Sequence, residues 1–152
     1  NAAVLTVQSA YTAWLAGFPG LSDTTLAGDP EGDGIPNLAE YAFSLDPTAS
    51  STSGLPVVQV TAFNGQSHLQ IQFRCDAART DITYRVEVSN SLAPAGWTEI
   101  ALSVGGAPTT DIGGGTAAIA DSGIGLRTVT VTTATTVAAS PKQFVRVRIS
   151  QP

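Results

Sequence analysis

The chain has 152 residues, 43% of them apolar and only 12% charged, about half the charged share of an average soluble domain, so its polar surface must rest on Thr, Ser, Asn and Gln, as suits an extracellular β-protein. A formal net charge of −5 argues against a nucleic-acid partner, because phosphates call for a Lys/Arg surface. A single cysteine, Cys75, precludes an internal disulfide, no Cys/His cluster offers a zinc site, and no apolar run approaches the roughly 18–20 residues of a membrane span.

Asn1 is not an initiator methionine, which suggests a chain that is processed or excised from something longer. Over residues 4–18 the apolar positions Val4, Val7, Tyr11, Trp14, Leu15 and Phe18 fall at three/four spacing and predict an amphipathic helix. Gly17, Pro19 and Gly20 signal its end. A second stripe, Leu38, Tyr41, Ala42 and Leu45, follows Pro36, a residue suited to a first helical position, and stops at Asp46-Pro47. Two such short helices cannot bury Trp14, Phe18, Tyr41 and Phe43 between themselves, so they must dock on the rest of the chain or on another molecule.

Between the helices lies an unusual concentration of acid. No Lys or Arg precedes Arg74, so the six carboxylates of Asp23, Asp29, Glu31, Asp33, Glu40 and Asp46 give the first half a formal charge of −6. From Arg74 onward seven basic residues face six acids, for +1. Packed into a small fold, the first set would repel, and the sequence supplies no cation to offset it. Numbered as a twelve-residue calcium loop, residues 29–40 place Asp29 at position 1, Glu31 at 3, Asp33 at 5, Gly34 at 6, Ile35 at 7, Asn37 at 9 and Glu40 at 12. Alternate residues of a tight loop point inward, Gly34 permits the turn, the Ile35 carbonyl offers a backbone oxygen, and Glu40 can swing back with two oxygens. Calcium accepts six to eight oxygens in flexible geometry and suits this set better than magnesium. The plainer alternative is a solvated acidic turn capping the second helix. Asp23 and Asp46, outside the loop, are read as caps or solvated residues rather than outer ligands.

The stretch from Trp14-Leu-Ala-Gly-Phe through the acidic loop to Asn37-Leu-Ala-Glu-Tyr-Ala-Phe-Ser-Leu-Asp-Pro47 resembles the calcium-loop segment of secreted and surface proteins of Verrucomicrobia and related bacteria. Its loop is similar to those of dockerin and thrombospondin type 3 repeats. The resemblance implies a structural Ca²⁺ held by Asp29, Glu31, Asp33, Ile35, Asn37 and Glu40, and a β-rich domain after the loop. Dockerins carry two such loops and bind a cohesin; one loop is present here, which argues against dockerin activity.

Residues 48–55, rich in Ser and Thr, read as a linker between a helical segment at 1–47 and a β-domain at 56–152. In the β-domain Val58, Val60 and Ala62 alternate with polar residues, as do Leu69, Ile71 and Phe73, and then Tyr84, Val86 and Val88. Further strands are expected at 97–103, 117–120, 126–132 and 144–149, making seven. Asn64-Gly65 marks a hairpin turn in which both central residues need positive φ. The pattern predicts a mainly β protein: an EF-hand-like helix-loop-helix followed by a seven-stranded immunoglobulin or fibronectin III-like β-sandwich, with Trp97 plugging its core. The phrases Tyr84-Arg-Val-Glu-Val-Ser and Phe144-Val-Arg-Val-Arg-Ile also resemble, more loosely, the β-domains that follow the loop in the same bacterial proteins.

No catalytic apparatus is visible. His68 reads as surface structure beside Ser67, and Cys75 as a half-buried thiol, with a Cys75–His68 pairing the less economical alternative. Asp76, Asp81 and Glu87 read as salt-bridging or solvated partners of nearby arginines. The sequence thus predicts a non-catalytic, extracellular or cell-surface structural module stabilised by calcium, a surface-protein segment or a self-assembling, filament-type subunit. Its partners would be further copies or other surface modules, not nucleic acid. A glycan-binding module or an accessory domain of a larger secreted enzyme are the rivals; the ten aromatics fall mostly on expected inward faces, which disfavours a sugar platform.

Overall fold

The computed structural model of the chain describes residues 9–151. Helix α1 runs Ala10–Leu15 and is opened by Ser9, whose hydroxyl accepts the Thr12 N–H at 3.1 Å. It is shorter than the stripe predicts: the N–H groups of Gly17 and Phe18 turn back onto Trp14 and Leu15, closing the last turn tightly. Val4 and Val7 lie outside the described residues. Helix α2 runs Asn37–Phe43. Pro36 is its N-cap rather than its first residue, with extended φ −70° and ψ 150°, and Ser44, at φ 55°, ends it before Leu45 and Asp46 are reached.

Eight strands follow, in two four-stranded antiparallel sheets that face each other as a β-sandwich. They are β1 (Val57–Phe63), β2 (Gln66–Asp76), β3 (Thr83–Ser89), β4 (Thr98–Val104), β5 (Thr110–Asp111), β6 (Thr116–Ala120), β7 (Leu126–Thr136) and β8 (Phe144–Ser150). One sheet has the order β1-β2-β7-β6 and the other β5-β4-β3-β8. The strand beyond the expected seven is β5, two residues with no hydrophobic alternation to reveal them; the Asp111 carboxylate shapes the turn after it by accepting the Gly114 and Thr116 N–H groups. Between β1 and β2, Asn64 and Gly65 have φ of 50° and 76°, the turn that the Asn-Gly pair predicts.

Opposed residues of neighbouring strands share a face. Ile71 opposite Val131 and Phe73 opposite Val129 therefore line the inside of one sheet, and Tyr84, Val86 and Ile100 line the other. Tyr11, Tyr41, Ala42 and Phe43 belong to the same cluster, so the helices dock on the sandwich and share its core. Tyr84 sits at the junction: its ring stacks on Phe73 and meets Phe43, and its hydroxyl donates to the Ala42 carbonyl at 2.6 Å. Within the stretch read as a linker, the Ser51 N–H is bonded to the acidic loop and Gly54 packs on Leu45 and Arg74.

Trp97 does not plug the core. It is half-buried at the rim, with the Arg146 guanidinium 3.9 Å above its ring, and Tyr84 fills the central position. His68 is buried rather than superficial, its Nδ1 at 2.8 Å from the Thr133 carbonyl. Cys75 is fully rather than half buried. Seven positions along one strand separate it from His68, about 23 Å at the usual rise, so the two cannot act as a pair.

Candidate metal centre

The acidic loop is shaped by its own first residue. One Asp29 carboxylate oxygen accepts the N–H groups of Gly32 and Asp33 at 2.9 and 3.1 Å, and the other accepts that of Gly34 at 2.9 Å. The chain winds around this carboxylate because Gly32 and Gly34 adopt φ of 75° and 86°. Asp33 accepts the Ile35 N–H at 2.8 Å on one oxygen and the Ser51 N–H at 2.6 Å on the other. The base of the loop is closed by two backbone bonds, Asn37 N–H to Gly28 and Leu38 N–H to Leu26, at 2.8 and 3.0 Å. Gly28 is required there, since a Cβ would come within 2.6 Å of the Asp23 carboxyl and 2.8 Å of the Asn37 side-chain amide.

This winding brings Asp29, Glu31 and Asp33 together, with one carboxylate oxygen from each lying within 4.8 Å of the others. Helix α2 adds two fully buried side chains, Asn37 and Glu40, both 0% exposed. The Asn37 amide donates to the Asp23 and Thr25 carbonyls at 3.0 and 2.9 Å, which fixes its orientation and leaves Oδ1 without a donor. Both oxygens of Glu40 and both of Glu31 are likewise buried with no hydrogen-bond partner. Burial first, then the neighbouring Glu31, Asp33 and Asp29 carboxylates, push the Glu40 carboxyl up to about 8.

Five buried acceptor oxygens without donors stand against a strong rule, because an orphaned buried acceptor costs about 1–3 kcal/mol and a buried carboxylate more. The donor set is all oxygen and predominantly anionic, the chemistry of a hard cation such as Ca²⁺. Of the six residues singled out in the sequence, Asp29, Glu31 and Asp33 are brought together, Glu40 lies near enough for their charges to act on it, and Asn37 sits buried at the base of the loop. Ile35, whose N–H is held by Asp33, has only a backbone oxygen to offer.

Asp23 and Asp46 stay outside. Each caps a turn, Asp23 accepting the Thr25 N–H at 2.9 Å and Asp46 the Thr48 hydroxyl at 2.6 Å and N–H at 2.9 Å, and these bonds hold both carboxyls below the ordinary range. Asp76 and Glu87 pair with arginines, Glu87 bridging Arg146 and Arg148 at 2.8 and 3.0 Å. Asp81 does not. It accepts from the Tyr41 hydroxyl at 2.6 Å, the Tyr11 N–H at 3.0 Å and the Gln151 amide at 2.7 Å, joining both helices to the sandwich. Its sequence neighbours carry no sign of this, because all three donors are remote in the chain. Also illegible is a buried ion pair, Arg127 to Asp121 at 2.5 Å, with both side chains 2% exposed.

The chain matches no protein-family model, and neither curated proteins nor solved structures give a match.

Proposed function

We propose that this protein is a non-catalytic extracellular structural module whose helical segment is clamped by calcium. Asp29, Glu31, Asp33, Asn37 and Glu40 would hold the ion through side chains and Ile35 through its carbonyl, in an EF-hand-like helix-loop-helix. The observation that carries the reading is the set of five donorless buried oxygens on Glu31, Asn37 and Glu40. A divalent cation would satisfy them together and offset a segment that has no basic residue of its own. The resemblance to calcium-loop segments of bacterial surface proteins points the same way.

The ion's role would be a folding ligand. α2 carries Glu40 toward the loop and, from adjacent positions, sends Tyr41, Ala42 and Phe43 into the sandwich core. Neutralising the loop therefore supports the docking of the helices. The non-catalytic part of the reading is supported by the engagement of His68 with Thr133 and the burial of Cys75. Strand order supports an immunoglobulin-like sandwich: β1, β2, β7 and β6 occupy the positions of strands A, B, E and D, and β3 and β8 those of C and F. A module of this kind suits a cell-surface protein or a self-assembling subunit.

The experiment is a Ca²⁺ titration by calorimetry, paired with thermal melting in calcium and in EDTA. At a free ion concentration 100 times the dissociation constant, mass action adds about 2.7 kcal/mol, or about 5–10 °C for a chain of this length. Absence of binding heat together with identical melting in the two conditions would overturn the proposal.

A further inference from the structure

We propose that the end of the sandwich remote from the helices carries a cleft for one neutral sugar unit, such as the terminal residue of a glycan. The site is independent of the calcium reading. β3 starts beside Asp81, where the helices are anchored, and ends at the cleft about 20 Å away at the usual strand rise. Loops at the end of a sandwich are a common place for ligand contacts, because the sheets hold them in position.

The cleft measures about 330 Å³, at the lower end of the range that small-molecule sites occupy. Three parts of the chain wall it: the end of β3 with Asn90, the turn from Gly96 into β4, and the connection from Thr135 at the end of β7 to Gln143 before β8. These walls are braced from within. The Ser89 hydroxyl accepts the Ser91 N–H at 3.1 Å and donates to the Ser91 carbonyl, and the Ser140 hydroxyl donates to the Lys142 carbonyl at 3.2 Å. A Cβ at Gly96 would come within 2.8 Å of the Ser91 Oγ, so the turn before β4 packs closely on the same serines. Within this frame the Gln143 Oε1 is buried without a hydrogen-bond donor. Asn90, Thr98 and Thr135 bring exposed polar side chains to the same cleft.

The lining selects the occupant. Among the described residues no charged side chain lines the cleft, so a phosphate or carboxylate would be buried there without a counter-ion. An apolar ligand would leave the Gln143 oxygen orphaned. A neutral ligand dense in hydroxyls meets both conditions. One hydroxyl donates to the Gln143 Oε1, others exchange hydrogen bonds with the Asn90 amide and the Thr98 and Thr135 hydroxyls, and carbon atoms rest on Val88. Water can make the same bonds, and a ring that holds its hydroxyls in fixed positions replaces several waters without losing them. Recognition rests on these hydrogen bonds rather than on stacking, since Trp97, between Gly96 and Thr98, has the Arg146 guanidinium 3.9 Å over its ring.

The test is an amide NMR titration of the full chain in calcium with the methyl glycosides of neutral hexoses and N-acetylhexosamines, and with glucuronate and sorbitol as the charged and the acyclic control. The expected result is saturable shifts from at least one neutral glycoside, confined to residues 88–90, 96–98, 135 and 140–143, and none from either control. Gln143→Leu should weaken that binding by about tenfold or more. Thr98→Trp fills the cleft from an exposed position and should abolish it, while melting as the parent does. No saturable shift from any glycoside overturns the proposal, as do shifts scattered over the surface, or a Thr98→Trp or folded Gln143→Leu variant that binds like the parent. Glucuronate or sorbitol binding as tightly as the neutral glycosides overturns the assignment to a neutral sugar ring. The melting response to calcium reads the metal site separately, whichever way the sugar titration falls.

Discussion

The Tyr41 hydroxyl donates to the Asp81 carboxylate at 2.6 Å, across 40 residues of sequence. Tyr41 follows Glu40 directly, so the same helical turn carries a carboxyl group set among the acids of the loop and the contact that secures the helix to the segment before β3. The Arg79 guanidinium lies 4.3 Å from the centroid of the Tyr41 ring and completes the joint. Loop and sandwich are mechanically continuous through these two residues.

Tyr41→Phe removes one charge-assisted hydrogen bond while keeping the ring, and should lower stability by about 1.5–3 kcal/mol in urea denaturation. Combined with Asp81→Asn, the loss should be clearly less than additive, because both changes cut the same contact. Full additivity would show that the contact carries no weight.

Burial pushes the Asp81 carboxyl up, but the bonds from Tyr41, Tyr11 and Gln151 outweigh it and hold the group below the usual value of 3.8. A depressed folded-state pKa contributes stability above the unfolded value and loses it as pH falls through the folded one. The parent should therefore lose stability on acidification from about pH 4 downward, and Asp81→Asn should lack that increment. Denaturation midpoints between pH 2 and pH 6 measure the difference; parallel profiles would count against it.

Glu40→Gln separates the calcium reading from a merely structural one. In EDTA at neutral pH it replaces a carboxyl that burial and its acidic neighbours force to take up a proton on folding, and should raise stability by about 1–3 kcal/mol. In calcium the variant should fall below the parent, and the melting shift on adding the ion should largely vanish. If the substitution has the same effect with and without calcium, Glu40 is not a ligand.

Gly28→Ala tests the base of the loop. The new methyl group would press first on the Asp23 carboxyl and then on the Asn37 amide, whose two bonds to the Asp23 and Thr25 carbonyls prevent retreat. Destabilisation of about 1–3 kcal/mol is expected, with weaker calcium binding by calorimetry. A variant that binds and melts like the parent would show that the loop tolerates a wider mouth.

Arg127→Met leaves Asp121 charged and enclosed, and should cost about 3–5 kcal/mol. The double variant with Asp121→Leu should recover much of that loss. Chemical denaturation of the three proteins reads it directly.

Much of this molecule was legible in its sequence for local reasons. Alternation at Ile71–Phe73 and Tyr84–Val88 reports a half-buried sheet face, Asn64-Gly65 forms the hairpin turn it announces, and the alternation of Asp29, Glu31 and Asp33 about a glycine-rich turn foretells their meeting. What escaped depends on distance. Trp97 has the size of a core residue, but the rim position and the Arg146 stack are set by where β8 falls. His68 sits among polar neighbours and is buried because β7 crosses beside it. Asp81 lies near Arg79, which suggests an ion pair, yet its real donors come from residues 11, 41 and 151. The valines of β1, Val58 and Val60, read as an ordinary inward face, yet among the described residues they remain 47% and 60% exposed, which nothing local announces.

The seclusion of Cys75 decides how the chain would respond to an oxidant. Its sulfur is wholly enclosed, and burial raises the thiol further from its reactive thiolate form. Native molecules crowded side by side therefore have no means of cross-linking through sulfur, and a covalent dimer under non-reducing conditions becomes a record of copies that have come unfolded.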